Sequence, residues 1–77
     1  MPTVHREDAF RFFFFSDEHT PEHVHIEKAD AYVRVELDTL KVTQNHKLNS
    51  KELKKLVNIV QKNSKKFKGA WYEYFKQ

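Results

Sequence analysis

Val24-His25-Ile26-Glu27 and Ala31-Tyr32-Val33-Arg34-Val35-Glu36-Leu37 decide the fold of this 77-residue chain. In both segments apolar and polar side chains alternate, the period of an extended strand with one face in a core and one face polar. A tight turn at Ala29-Asp30 joins them into a hairpin. The hairpin sets Ile26 opposite Val33, Val24 opposite Val35, His25 opposite Arg34, His23 opposite Glu36 and Glu27 opposite Tyr32. A one-residue slip would set apolar residues against polar ones throughout, so the pattern fixes the register although the turn lacks an Asn-Gly pair.

Upstream, Phe10-Arg11-Phe12-Phe13-Phe14-Phe15 is aromatic on both alternating sets, which suits a central strand with both faces covered. Thr3 to Arg6 is a short extended segment, with a turn at Glu7-Asp8. Ser16 to Glu22, polar and closed by Pro21, cannot continue a ladder and reads as a loop. Downstream, Lys41 to Gln44 supplies a weaker further strand. Asn49 or Ser50 then caps a helical pattern. Leu53, Leu56, Val57, Val60, Ser64, Phe67, Trp71, Tyr74 and Phe75 fall in one stripe at 3.6-residue spacing. The phase of that stripe survives Asn63-Ser64 and Gly69. It predicts one continuous helix, about 27 residues and about 40 Å long, with a penalty of about 1 kcal/mol for the glycine. The expected architecture is α+β: an antiparallel β-sheet of three to five strands packed against one long C-terminal amphipathic helix. The whole chain forms a single domain, 1–77, strand-rich over 1–48 and helical over 49–77.

Seventy-seven residues support one modest core, and without cysteine no disulfide can staple it. The cysteine count suits a reducing compartment, and the longest apolar run, Phe12 to Phe15, is far too short to span a bilayer. A cytoplasmic protein without a membrane segment is expected. The net charge of +3 conceals a division. Residues 1–40 hold four Arg or Lys against nine Asp or Glu, and residues 41–77 hold ten Lys against two Glu. Such halves can pair internally, bind an acidic partner or attract phosphate backbones.

Several motifs together resemble one family. These are the opening Met-Pro-Thr-Val with Arg6, the Phe10–Phe14 block, Pro21-x-His23-Val24-His25-Ile26-Glu27-Lys28, and Glu52-Leu53 followed by Ala70-Trp71-x-Glu73-Tyr74-Phe75. In this order and at these spacings they are similar to DUF4160, a small prokaryotic domain. The resemblance implies a domain of unknown function, often encoded beside another small domain, as in toxin–antitoxin pairs. The chain departs from the family pattern at His5, where Leu is usual. It departs again at Glu7-Asp8-Ala9, where the turn usually contains Gly, and at Glu22, where a second Pro often precedes the His-x-His.

Three groups of residues could carry chemistry. His23 and His25, two apart on a strand, project to one side with Arg34 and Glu36, beside Glu27 and Tyr32. They offer a proton donor or acceptor near its working pH and a cation for a phosphate, the equipment of a metal-independent ribonuclease. The plain alternative is a solvated sheet face. His19, His23 and His25 form a His-x₃-His-x-His array that could take zinc, nickel or copper, with Glu18, Glu22 or Glu27 as a fourth ligand; His5 and His46 are isolated polar residues. Lys51, Lys54, Lys55, Lys62, Lys65, Lys66 and Lys76 line the outer side of the helix. Of these, Lys54, Lys55, Lys62, Lys65 and Lys66, with Arg11, are the candidates for contacting RNA. An outer charged face is also what solubility requires. With one glycine in the chain, no phosphate-cradling loop can form. Finally, the sheet covers roughly 20 Å of helix, so the Phe67, Trp71, Tyr74, Phe75 end overhangs. Either a cognate small protein or a homodimer mate covers it, or the Phe-rich and N-terminal strands reach it. The leading expectation is a toxin–antitoxin-type component that binds a partner protein and acts on or binds RNA. The alternatives are a non-enzymatic binding module or antitoxin-like adaptor, and a histidine-based metal binder.

Overall fold

In the computed structural model, which describes residues 3–16 and 19–75, five strands precede two helices. The strands are β1 (Thr3–Glu7), β2 (Phe10–Phe13), β3 (His23–Lys28), β4 (Ala31–Glu36) and β5 (Val42–His46); α1 (Ser50–Lys62) and α2 (Ser64–Phe75) follow. The strands form one antiparallel meander in the order β1-β2-β3-β4-β5. All five expected cross-strand pairs of the β3–β4 hairpin are present, from His23 opposite Glu36 to Glu27 opposite Tyr32. β2 has a neighbour on each edge, as its doubly aromatic pattern requires. Both outer strands carry a register shift, β1 between Thr3 and His5 and β5 opposite Arg34 and Val35. Such bulges twist an edge away from further pairing.

The core follows from the alternation. Phe10, Phe12 and Phe14 join Val24, Ile26, Val33, Val35 and Leu37 of the sheet, and Leu56, Ile59, Val60, Phe67 and Trp71 of the helices pack onto them. Asn49 caps α1, its Oδ1 accepting from the Glu52 amide at 2.8 Å.

The single long helix expected from periodicity is instead two. The cause is Asn63, whose backbone sits at φ −106°, ψ 15°. Its side-chain amide donates to the Ile59 carbonyl at 2.9 Å while its own carbonyl accepts from the Phe67 amide at 2.9 Å. An asparagine that bonds local backbone in this way ends one helix and starts the next. A straight helix of about 40 Å would also outrun the molecule, which measures 37 Å along its longest axis. The apolar phase nevertheless carries across the break, from Leu56, Ile59 and Val60 to Phe67 and Trp71.

The one glycine is misplaced for stability. The two-residue β1–β2 turn holds Asp8 at φ 54° and Ala9 at φ 68°, both in the left-handed region. A type I′ hairpin turn prefers glycine at its second position, and alanine there costs about 1 kcal/mol. Gly69, by contrast, lies inside α2, where an added Cβ would meet nothing within 4 Å. Ala9→Gly and Gly69→Ala are each expected to stabilise the domain by about 1 kcal/mol. Each should raise the melting temperature by about 4–8 °C in a calorimetric scan. A fall for Ala9→Gly would contradict the left-handed turn.

Candidate functional site

The strand period places His23 and His25 on the sheet face opposite Val24 and Ile26, as expected, but that face is not solvated. His23 is 2% exposed and His25 3%. The His25 ring stacks on Phe13 at 5.6 Å and on Tyr32 at 5.8 Å, with Phe15 at 4.2 Å and His23 edge-on at 5.0 Å. Its Nδ1 shares a 2.5 Å hydrogen bond with the Tyr32 hydroxyl. His23 lies 2.8 Å through Nδ1 from the Pro21 carbonyl. A carbonyl can only accept, so Nδ1 carries the hydrogen. Arg34 Nη2 lies 3.2 Å from the same nitrogen, which, carrying its hydrogen, has no lone pair to accept it. The Trp71 ring lies 5.2 Å from His23. These contacts make a packed aromatic and imidazole layer.

The polar residues around this layer are tied laterally. Arg34 Nη1 donates to Thr43 Oγ1 at 2.8 Å, and Glu36 Oε1 accepts from Thr39 at 3.0 Å. Arg11 donates to Thr3 and to Glu27, each at 2.8 Å, with its guanidinium 4.5 Å over the Phe13 ring. The four residues suited to catalysis, His23, His25, Arg34 and Glu36, are thus brought together, but as cross-strand structure. The metal array is not assembled: among the described residues no group of three His, Asp or Glu side chains gathers to hold an ion. His19 stands exposed in the loop; Glu18 lies outside the described residues.

Part of the charge division pairs internally. Lys62 donates to Glu7 at 3.0 Å and Lys66 to His5 Nδ1 at 2.8 Å, while His5 Nε2 donates to Glu7 at 2.9 Å. The His5 imidazole and the Lys62 ammonium hold the Glu7 carboxyl below its usual range. Lys55 reaches Asp8 at 3.7 Å, Lys68 reaches Asp38 at 2.6 Å and Lys28 reaches Glu52 at 2.6 Å. Of the six candidates for RNA contact, Arg11, Lys55, Lys62 and Lys66 therefore have partners within the chain. Lys54 and Lys65 form no ion pair among the described residues, and Lys76 lies outside them.

The aromatic end of the helix divides in two. Phe67 and Trp71 are core residues, reached by the Phe-rich segment as the plainer expectation had it: Phe67 stacks on Phe12 of β2 at 5.3 Å, and Trp71 meets Phe14, just past its end, at 5.4 Å. Tyr74 stays 44% exposed and Tyr72 62%. Tyr72 falls off the helical stripe, so the periodicity did not single it out. Its signal was composition alone, an aromatic where a lysine would serve solubility. Phe75 bridges the two groups, 4.4 Å from Trp71 and 4.7 Å from Tyr74. Phe15, 36% exposed, was expected inside a strand; β2 ends at Phe13. Among the described residues no helix is long and apolar enough to cross a membrane.

The family model of a domain of unknown function, DUF4160, matches residues 9–72. No curated protein and no solved structure matches the chain.

Proposed function

The chain belongs to the DUF4160 family, and from that premise and the placement of its aromatic side chains we propose a non-enzymatic protein-binding domain, one half of a toxin–antitoxin-type pair. Its docking surface is the C-terminal end of α2. The observation that carries this reading is the exposure of Tyr72 and Tyr74 beside the half-buried Phe75. Large rings with a polar tip are what protein interfaces concentrate, because they bury much area at little entropic cost. The bulged outer strands argue for docking on this end and against extension of the sheet. An RNA-cleaving role for His23, His25, Arg34 and Glu36 would require the packed layer over the histidines to open, so the proposal omits it.

The test is co-expression with each small protein encoded beside the gene for this chain, the arrangement the family resemblance leads one to look for. A stable complex on gel filtration is expected, with no cleavage of added RNA. The Tyr72→Ser/Tyr74→Ser double variant should weaken the complex by at least about tenfold, the loss of one interface hot spot. It should move the unfolding free energy by no more than about 1 kcal/mol. An undiminished complex in the double variant, or no complex at all, would remove this surface from consideration.

A further inference from the structure

Thr20, Glu22, Trp71, Tyr72, Glu73 and Phe75 line a cleft of about 360 Å³ beside the exposed tyrosines. Three of the six are aromatic, and two are carboxylates. The Glu22 side chain is half-buried, and among the described residues it makes no ion pair. The neighbouring ammonium of Lys68 is held by Asp38 at 2.6 Å. Glu22 faces the Tyr72 hydroxyl, and the hydrogen bond and negative charge of its carboxylate hold that phenol's pKa above the ordinary value. The Glu22 carboxylate already accepts the Tyr72 hydroxyl and feels the charge of Lys68, and its two oxygens have lone pairs to spare for further donors. Ring faces beside it add attraction for a cation.

We propose that this cleft receives an arginine side chain from the protein docked on α2. The proposal rests on the docking reading above and adds the chemistry of the residue recognised. A guanidinium is planar, always charged and weakly hydrated, so it can lie on a ring while its donors fork onto a carboxylate. An ammonium is a compact, strongly hydrated point charge, which a cleft of this size and apolar lining matches poorly. A second copy of the chain has little to offer: Arg11 and Arg34 are engaged within their own sheet, leaving Arg6 as its one exposed arginine.

Trp71 is the chain's one tryptophan and lines the cleft, so its fluorescence reports occupancy directly. The probes are N-acetylarginine amide, the corresponding lysine amide, and the citrulline amide, a neutral isostere. The arginine probe should give a saturable change with a Kd on the order of 1–10 mM, as befits one side chain. The lysine probe should bind more weakly and the citrulline probe should give no saturable change. Glu22→Gln should weaken arginine binding about tenfold, the effect of removing one charge-assisted contact, with melting unchanged. Equal responses to arginine and citrulline, a lysine response as strong as arginine's, or indifference to Glu22→Gln would each overturn the assignment. Loss of arginine binding with an intact, tyrosine-dependent complex would remove the cleft and spare the docking surface. Arginine binding in a chain that takes no partner would do the reverse. Concentration-dependent self-association abolished by Arg6→Gln would assign the cleft to a second copy and overturn the heterologous partner.

Discussion

Phe67→Ala is expected to cost about 3–5 kcal/mol, the range for deleting a fully buried phenylalanine. That is most of the stability a domain of this size can hold. The ring is 0% exposed and stacks on Phe12 at an interplanar angle of 29°, with the His5 ring edge-on at 5.6 Å. Phe12 and His5 sit on adjacent paired strands, so neither can move far to fill the space. The Phe67 amide also makes the first hydrogen bond of α2, to the Asn63 carbonyl. Loss of the ring removes the contact that holds the second helix down just after the break. The Lys66–His5–Glu7 chain one residue away would lose its geometry with it, though surface contacts of this kind contribute little alone. Urea unfolding followed by circular dichroism should show the midpoint collapse, whereas Tyr72→Ala, at an exposed site on the same helix, should leave it nearly in place. A loss below about 1 kcal/mol for Phe67→Ala would mean that α2 does not rely on the sheet for its position.

The hairpin was legible because its two strands alternate strictly, and a period of two leaves one register in which like faces like. The alternation yielded the β3–β4 hairpin and a central place for the Phe-rich strand, while the full order β1 to β5 came from the structure. Three further features were not legible. The helix break depends on whether one asparagine side chain turns back to the Ile59 carbonyl, and an unbroken stripe is equally compatible with a straight rod and with two helices in phase. The burial of the histidine face depends on Phe13 and Phe15 projecting to the same side as His25, which the aromatic run permitted but the hairpin alone did not reveal. A polar-looking alternation was thus read as wet when neighbouring rings had closed over it. The hairpin register sets His23 opposite Glu36 and His25 opposite Arg34 as read, and what the surroundings add is the burial of both histidines. The charge division was legible as a number, but its partners were not: only the fold brings Lys62 to Glu7 and Lys55 to Asp8.

His25→Ala discriminates between these two pictures of the histidine face. On a solvated face the substitution would change stability by no more than about 0.5 kcal/mol. In the packed layer it removes a ring in contact with Phe13, Phe15, His23 and Tyr32, together with the 2.5 Å bond to the Tyr32 hydroxyl. A cavity plus a lost buried hydrogen bond gives an expected cost of about 2–4 kcal/mol. For a domain of this length that lowers the melting temperature by about 8 °C or more, at about 4–8 °C per kcal/mol. His25→Phe separates the two contributions, because it restores the ring volume without the nitrogen. It should recover more than half of the loss, since the cavity contributes the larger share. The cost is set by packing and hydrogen bonding, so it should appear in the isolated chain with no RNA or partner present. If His25→Ala melts with the unaltered protein, Phe13 and Phe15 do not seal this face in solution. His23, His25 and Arg34 would then be open to a phosphate, and the ribonuclease reading would have the exposed site it lacks in the packed structure.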